Sequence, residues 1–175
     1  KGVSTLKPRK IWFDETIRRL NLEERGLLLG AFKGDDKLLV VTQHGTLKAV
    51  APELSLHFDE SVIHLEKWIP KKPITAVYFD TEKERYFLKR FLLESVEKED
   101  NFIKEGGILT YVGFDWRPLL TLQYEKQRGK DQPSDTEINV EEFISVKGFN
   151  ALGNQLTDKK LKVITLKDAL PYEEI

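Results

Sequence analysis

Short runs of β-branched, aromatic and aliphatic residues, each four to eight residues long, recur along the chain and are separated by polar turn residues. Runs of this length and composition predict β-strands. The predicted strands are 10–13, 27–32, 37–42, 46–50, 62–68, 74–79, 85–92, 108–112, 119–124 and 161–166. No stretch predicts a helix longer than two turns, and residues 14–25 fit a helical turn or a loop equally well. The pattern predicts an all-β fold.

Turn residues between neighbouring runs predict hairpins. Residues 43–45 separate two runs by the length that a hairpin turn needs, and Gly45 supplies the positive φ that such turns require. The segments 34–36, 80–83 and 115–118 have similar composition and are expected to act in the same way. The polar segment 126–135 is the clearest loop.

Three two-strand repeats align, over 38–50, 74–92 and 108–124, and their starts lie 36 and 34 residues apart. A further parallel links 10–20 with 145–156. Repeats of about 35 residues predict a β-propeller-like domain over 7–166, with about four blades in an open or closed ring and with tails at 1–6 and 167–175. A β-sandwich with accidental spacing is the alternative.

Composition excludes several classes of protein. The chain has 175 residues and no cysteine, which excludes disulfides, thiolate metal sites and a cysteine nucleophile. No apolar run approaches the roughly 20 residues that a membrane-spanning helix needs. Hydrophobic residues make up 40 % of the chain, so that disorder over the whole length is not expected.

Catalytic chemistry is not expected in this chain. It has no glycine-rich phosphate loop, and its three histidines lack the spacing of metal ligands. The acidic pairs 23–24, 35–36 and 141–142 are adjacent in sequence, so that on a strand their side chains point to opposite faces. We therefore expect no catalytic residues, no metal site and no cofactor.

Charge is balanced overall but uneven along the chain. There are 28 Lys and Arg against 29 Asp and Glu, but residues 1–50 carry a net charge of +4 and residues 51–175 a net charge of −5. Basic residues recur at related places in the repeats: Lys7, Arg9, Lys10, Arg18, Arg19, Lys48, Lys71, Lys72, Lys89, Arg90, Arg117 and Lys147. Equivalent positions in a propeller reach one rim, where they could contact DNA phosphates. Alternatively, these charges only solvate exposed strands and protect their edges.

Four segments carry a family resemblance: 9–12 (RKIW), 32–36 (FKGDD), 42–46 (TQHGT) and 147–154 (KGFNALGN). Together they resemble the C-terminal domain of the A subunit of bacterial type IIA topoisomerases, above all the gyrase and topoisomerase IV A-subunit tail of the Bacteroides-like lineage. The resemblance spans about residues 7–166, and its specific motifs lie in the first and last repeats.

Membership would imply a β-pinwheel, a propeller variant whose blades exchange strands, with a basic outer rim that bends duplex DNA and presents it to the catalytic core. The cleaving tyrosine, the Mg²⁺ site and the ATPase of such enzymes lie elsewhere, so this domain would be non-catalytic, and ATP and Mg²⁺ would be cofactors of the holoenzyme alone. The implied partners are double-stranded DNA, the catalytic core of the same A subunit and the ATPase B subunit. The implied location is the cytoplasm, at the nucleoid and not at a membrane.

Two features depart from the gyrase pattern. Gyrase tails carry a box reading QRRGGKG, and the nearest segment here is 127–130 (QRGK), which adds Arg128 and Lys130 to the candidate DNA contacts. The near-neutral charge is also low for a strong DNA wrapper. Both departures favour a topoisomerase IV-like tail over a gyrase-like one. The alternative function is a propeller that binds proteins and has no DNA affinity, which the acidic C-terminal two-thirds supports.

Overall fold

The computed structural model describes residues 7–93 and 98–170, and this part of the chain is almost entirely β-structure. In chain order its elements are β1 (Arg9–Asp14), β2 (Arg19–Asn21), β3 (Leu27–Phe32), β4 (Leu38–Thr42), β5 (Thr46–Val50), β6 (Val62–Lys67), β7 (Ile74–Asp80), β8 (Arg85–Phe91), β9 (Asp100–Asn101), β10 (Ile108–Gly113), β11 (Pro118–Tyr124), β12 (Thr136–Asn139), α1 (Val140–Phe143), β13 (Asn154–Thr157) and β14 (Leu161–Ala169). All ten predicted strands are present, which confirms the all-β prediction. The expected tail at 1–6 lies outside the described residues. Of the expected tail at 167–175, residues 167–169 form the end of β14 and residues 171–175 lie outside the described residues.

Within the described residues the strands form four open antiparallel sheets, which belong to two compact units. Unit 1, from Lys1–Ile69 and Ser95–Phe102, holds sheet A in the order β2-β1-β3 and sheet B in the order β6-β4-β5-β9. Unit 2, from Pro70–Glu94 and Ile103–Ile175, holds sheet C in the order β10-β7-β8-β13 and sheet D in the order β12-β11-β14. Four open sheets agree with the expected four blades.

Each unit has its own apolar core, built from alternating strand positions. In unit 1, Ile11 and Phe13 of β1 are buried, and the Phe13 ring meets Phe58 edge to face with centroids 6.0 Å apart. In unit 2, Leu120 and Leu122 of β11 are at most 1 % exposed and belong to the core cluster of that unit. Burying a large aliphatic side chain contributes about 1.5–3 kcal/mol, so these positions stabilise each unit.

One pairing rule runs through the sheets. In sheets B, C and D the first strand pairs on one side with the next strand along the chain and on the other side with a later strand. Thus β4 pairs with β5 and β6, β7 pairs with β8 and β10, and β11 pairs with β12 and β14. The chain between these two partner strands pairs with the preceding sheet. There β13 pairs with β8, β9 pairs with β5, and a single bridge joins His57 to Arg19 of β2. We call His57, β9 and β13 the exchanged segments.

Two of the predicted hairpins are confirmed. Gly45 has φ +82° in the turn between β4 and β5, where the hydroxyls of Thr42 and Thr46 are hydrogen-bonded at 2.6 Å. Between β7 and β8 the Asp80 carboxylate accepts from the backbone N–H groups of Glu82 and Lys83, at 3.0 and 3.1 Å. Side-chain acceptors of this kind satisfy turn amides that the strands leave unpaired.

Other predictions about connections are wrong. The predicted repeat over 108–124 is split, because β10 belongs to sheet C and β11 to sheet D, so 115–118 joins two sheets and is not a hairpin turn. The segment 34–36 likewise joins sheet A to sheet B. Residues 14–25 form a turn followed by β2, and the parallel between 10–20 and 145–156 fails, because the first is the β1–β2 hairpin and the second leads into an exchanged segment. Strand pairing is non-local, and the local pattern does not specify it.

Candidate nucleic-acid interface

The fourteen basic residues singled out by the sequence differ widely in exposure. Those on the surface are Lys7, Arg9, Lys10, Arg19, Lys71, Arg128, Lys130 and Lys147. Those partly buried are Arg18, Lys48, Lys72 and Arg117. Lys89 and Arg90 are buried, with 2 % and 6 % of their surface exposed. A phosphate can reach only the first two groups directly, so burial divides the set.

Arg18 and Arg19 hold the exchanged segment of unit 1. Arg18 donates from Nε to the Phe58 carbonyl at 2.9 Å and from Nη2 to the Asp59 and Val62 carbonyls at 2.8 Å. Its guanidinium carbon lies 5.0 Å from the centroid of the Phe13 ring. Arg19 donates to the Ser55 carbonyl at 2.7 Å. These bonds to backbone carbonyls tie residues 55–62 to the β1–β2 hairpin.

Lys89 of β8 is held by contacts within unit 2. Its Nζ donates to the Phe149 carbonyl at 2.7 Å and lies 4.6 Å from the centroid of the Phe91 ring. Burial lowers the pKa of Lys89 from 10.5 to about 8, because the apolar surroundings disfavour the charged form. Lys89 therefore anchors the segment that precedes β13, and its ammonium group faces the interior of unit 2.

Arg90 is also held from within unit 2. Its Nη2 donates to the Trp116 carbonyl at 2.8 Å. Burial lowers its pKa, and the nearby Glu141 carboxylate acts in the opposite direction. Glu141 in turn accepts from Arg117 Nε at 3.0 Å. Lys89 and Arg90 are therefore buried structural residues and not candidates for contact with phosphate.

Unit 1 has a cleft of about 590 Å³ with cations on its lining, where β3 leads into β4. Lys7, Arg9 and Lys33 line it together with acidic Asp36 and Glu53. The Lys33 N–H donates to Asp36 at 3.0 Å and lowers the pKa of that carboxyl group, and Lys67 lies 3.4 Å from the same carboxylate. Opposite charges in this cleft offset one another, so it is a weak attractor of anions.

Two segments at one end of sheet D form a basic surface. We call them the basic turns: 126–130, which leads from β11 towards β12, and 158–162, which consists of the connection after β13 and the first two residues of β14. Glu125 N–H donates to the Lys160 carbonyl at 2.9 Å, and residues of both turns line one cleft of about 340 Å³. The cations exposed here are Lys126, Arg128, Lys130, Lys159, Lys160 and Lys162.

Few acidic groups offset these six cations. Glu125, Asp131 and Asp158 lie in or beside the basic turns, and Lys160 Nζ is 3.6 Å from the Glu125 carboxylate. The first turn is closed by a Lys130 N–H bond to the Gln127 carbonyl at 3.1 Å, with Gly129 at φ +77°. The fold thus brings Lys130 to one cleft with Lys159 and Lys160, two lysines that the sequence analysis did not single out.

The described residues contain no metal site. In residues 7–93 and 98–170 no three acidic or histidine side chains are placed to hold one metal ion. The one short helix of this part of the chain is too short to cross a membrane.

Comparison with known proteins identifies a family. A family model described as the topoisomerase C-terminal domain of the Bacteroidota matches residues 19–168, which is most of the chain and includes all four sheets in part or whole. No curated protein and no solved structure matches the chain. Because the matched region covers far more than half of the sequence, the chain belongs to the topoisomerase C-terminal domain family of the Bacteroidota.

Proposed function

We propose that this chain is a non-catalytic domain that binds and bends duplex DNA for a type IIA topoisomerase, as the C-terminal part of its A subunit. The observation that carries the proposal is the pair of basic turns, where six exposed cations lie at one end of sheet D. Lys and Arg side chains at such a surface neutralise DNA phosphates and release counterions, without reading the base sequence.

In this proposal the domain presents a DNA segment to the catalytic core of the same subunit. The exposed residues Lys7, Arg9, Lys10, Lys71 and Lys147 add further, weaker phosphate contacts. The chain lacks the full gyrase box and has a net charge of −1, which supports a topoisomerase IV-like tail over a gyrase-like one. ATP and Mg²⁺ act in the holoenzyme, whose other partner is the ATPase B subunit, and the enzyme works on the nucleoid in the cytoplasm.

Arranging the four sheets as a pinwheel is part of the same proposal. The exchanged segments support it, because each sheet with a successor receives a segment from the next one along the chain. Segments exchanged in this way link each sheet to the next one along the chain, and DNA contacts on linked sheets would act together to impose a bend.

Fluorescence anisotropy tests the proposal, using a short duplex and a several-fold longer one across a salt series. We expect tighter binding to the longer duplex, and affinity that falls by roughly 0.9 log units per log unit of salt for each phosphate neutralised. Energy transfer between dyes at the ends of the longer duplex should rise on binding if the DNA bends. Absence of binding at about 50 mM salt would contradict the proposal and favour a protein-binding module.

A further inference from the structure

Among the described residues, the second strand of each hairpin pairs with an exchanged segment in sheets A, B and C but not in sheet D. An exchanged segment pairs with β2, β5 and β8 on the side away from the first strand. In sheet D the corresponding strand is β12, and in the part of the chain that the structure describes it pairs only with β11. The strand β12 is thus an edge strand of the described sheet, and edge strands can pair with another strand through their backbone groups.

The three exchanged segments share a chemical pattern. Each is antiparallel to the strand it covers and places polar residues in the pairing: His57, then Asp100 with Asn101, then Asn154 with Gln155. In each case an apolar residue follows directly and turns inward; these residues are Phe58 at 6 % exposure, Phe102 at 1 %, and the partly buried Leu156. A segment that pairs with an outer strand of this fold therefore has polar residues in the pairing and an apolar residue directly after them.

The acidic residues around β12 add a second requirement for an incoming strand. Residues 131–142 contain five acidic residues and no basic ones: Asp131, Asp135, Glu137, Glu141 and Glu142. Two of them are paired, Glu137 with Lys167 and Glu141 with Arg117. All five are exposed. An incoming strand with basic flanks would gain from this acidic border, whereas DNA would be repelled by it.

We propose that the outer edge of β12 binds an extended protein segment supplied by another polypeptide, as an antiparallel fourth strand of sheet D. The segment has polar residues opposite β12, an apolar residue directly after them and basic residues at its flank. Backbone hydrogen bonds supply the affinity in this mode of recognition, and the apolar and basic side chains supply the specificity. The inference does not depend on DNA binding by the basic turns.

A peptide that copies residues 152–160 (LGNQLTDKK) of this chain is the probe, because it has the polar pair, the apolar residue and a basic flank. A labelled peptide should bind the whole chain saturably in anisotropy measurements, and a scrambled peptide of the same composition should not. Hydrogen exchange of the amides of residues 136–139 should slow by at least about threefold in saturating peptide. Equal binding of the scrambled peptide, or unchanged exchange at β12, would overturn the proposal.

Charge reversal gives a second test that leaves the strand backbone intact. The double variant Asp135→Lys/Glu142→Lys should lower the affinity for the peptide by about tenfold, because the acidic border becomes repulsive. The matched control Glu84→Lys/Glu105→Lys makes the same change of charge at exposed turns beside sheet C. Circular dichroism first establishes that both variants are folded. An equal loss of affinity in the two variants would contradict docking at β12.

Discussion

Two pairs of basic residues in unit 2 have the same formal charge and opposite surroundings. Lys89 and Arg90 of β8 are buried and donate to the backbone carbonyls of Phe149 and Trp116. Arg128 and Lys130 of the basic turns are exposed. A basic pair within a strand can thus hold the fold together, whereas one in a turn is available to a ligand. Net charge counted along a sequence does not separate these roles.

Charge reversal at one position of each pair should separate fold from function. Lys89→Glu replaces a buried donor by a carboxylate that faces the Phe149 carbonyl, and we expect it to lower the free energy of unfolding by about 4 kcal/mol. Lys130→Glu should change that free energy by less than about 0.5 kcal/mol while weakening DNA binding. Urea denaturation of both variants measures the first quantity. Similar losses of stability would show that the two pairs are not different in kind.

The pH dependence of stability tests the burial of Lys89 independently. Its pKa is about 8 in the folded chain and 10.5 in the absence of the fold, so between these values the unfolded chain binds more protons. The stability conferred by position 89 should therefore rise as the pH increases from about 8 to about 10.5, by about 3 kcal/mol in total. Subtracting the curve of Lys89→Met from that of the natural chain removes the other titrating groups. A flat difference across this range would contradict the burial.

Two glycines in the segment that Lys89 holds test the packing of that segment, with a smaller expected loss of stability than Lys89→Glu. Gly153 has φ +91°, and a Cβ there would collide with the Leu88 carbonyl, whereas Gly148 has open space around its Cα. We expect Gly153→Ala to destabilise the chain by about 2 kcal/mol and Gly148→Ala to have little effect. Thermal unfolding of the two variants gives the comparison. Greater destabilisation by Gly148→Ala than by Gly153→Ala would contradict the described path of the chain into β13.

Much of the fold could be predicted from the sequence, because strands and tight turns are local features. All ten apolar runs form strands, and Gly45 and Asp80 lie in the turns that their chemistry predicts. The short strands β2, β9, β12 and β13 were missed, since each has few apolar residues and owes its conformation to a partner strand. The repeat over 108–124 was misassigned for the same reason, because its two strands resemble a hairpin locally.

The candidate site was harder to predict than the fold. The loop at 126–135 was recognised, and its Arg128 and Lys130 lie in the basic turns. Lys159 and Lys160 were missed because only the exchange of β13 into sheet C, and the return of the chain as β14, brings them beside the first turn. Lys89 and Arg90 were candidates for phosphate contact because they occur at a related place in the repeats, and a place in a repeat does not tell whether a strand residue is exposed. Both are buried here.

The most direct test of the central claim is the salt dependence of DNA binding after the first basic turn is neutralised. The triple variant Lys126→Ala/Arg128→Ala/Lys130→Ala should bind duplex DNA about tenfold more weakly, and its slope of log affinity against log salt should be shallower by up to about 2.7. The control Arg25→Ala/Lys83→Ala/Lys98→Ala removes the same charge at exposed positions elsewhere and should leave the slope nearly unchanged. A slope that is the same in the natural chain and the first variant would contradict the claim that the basic turns bind phosphate.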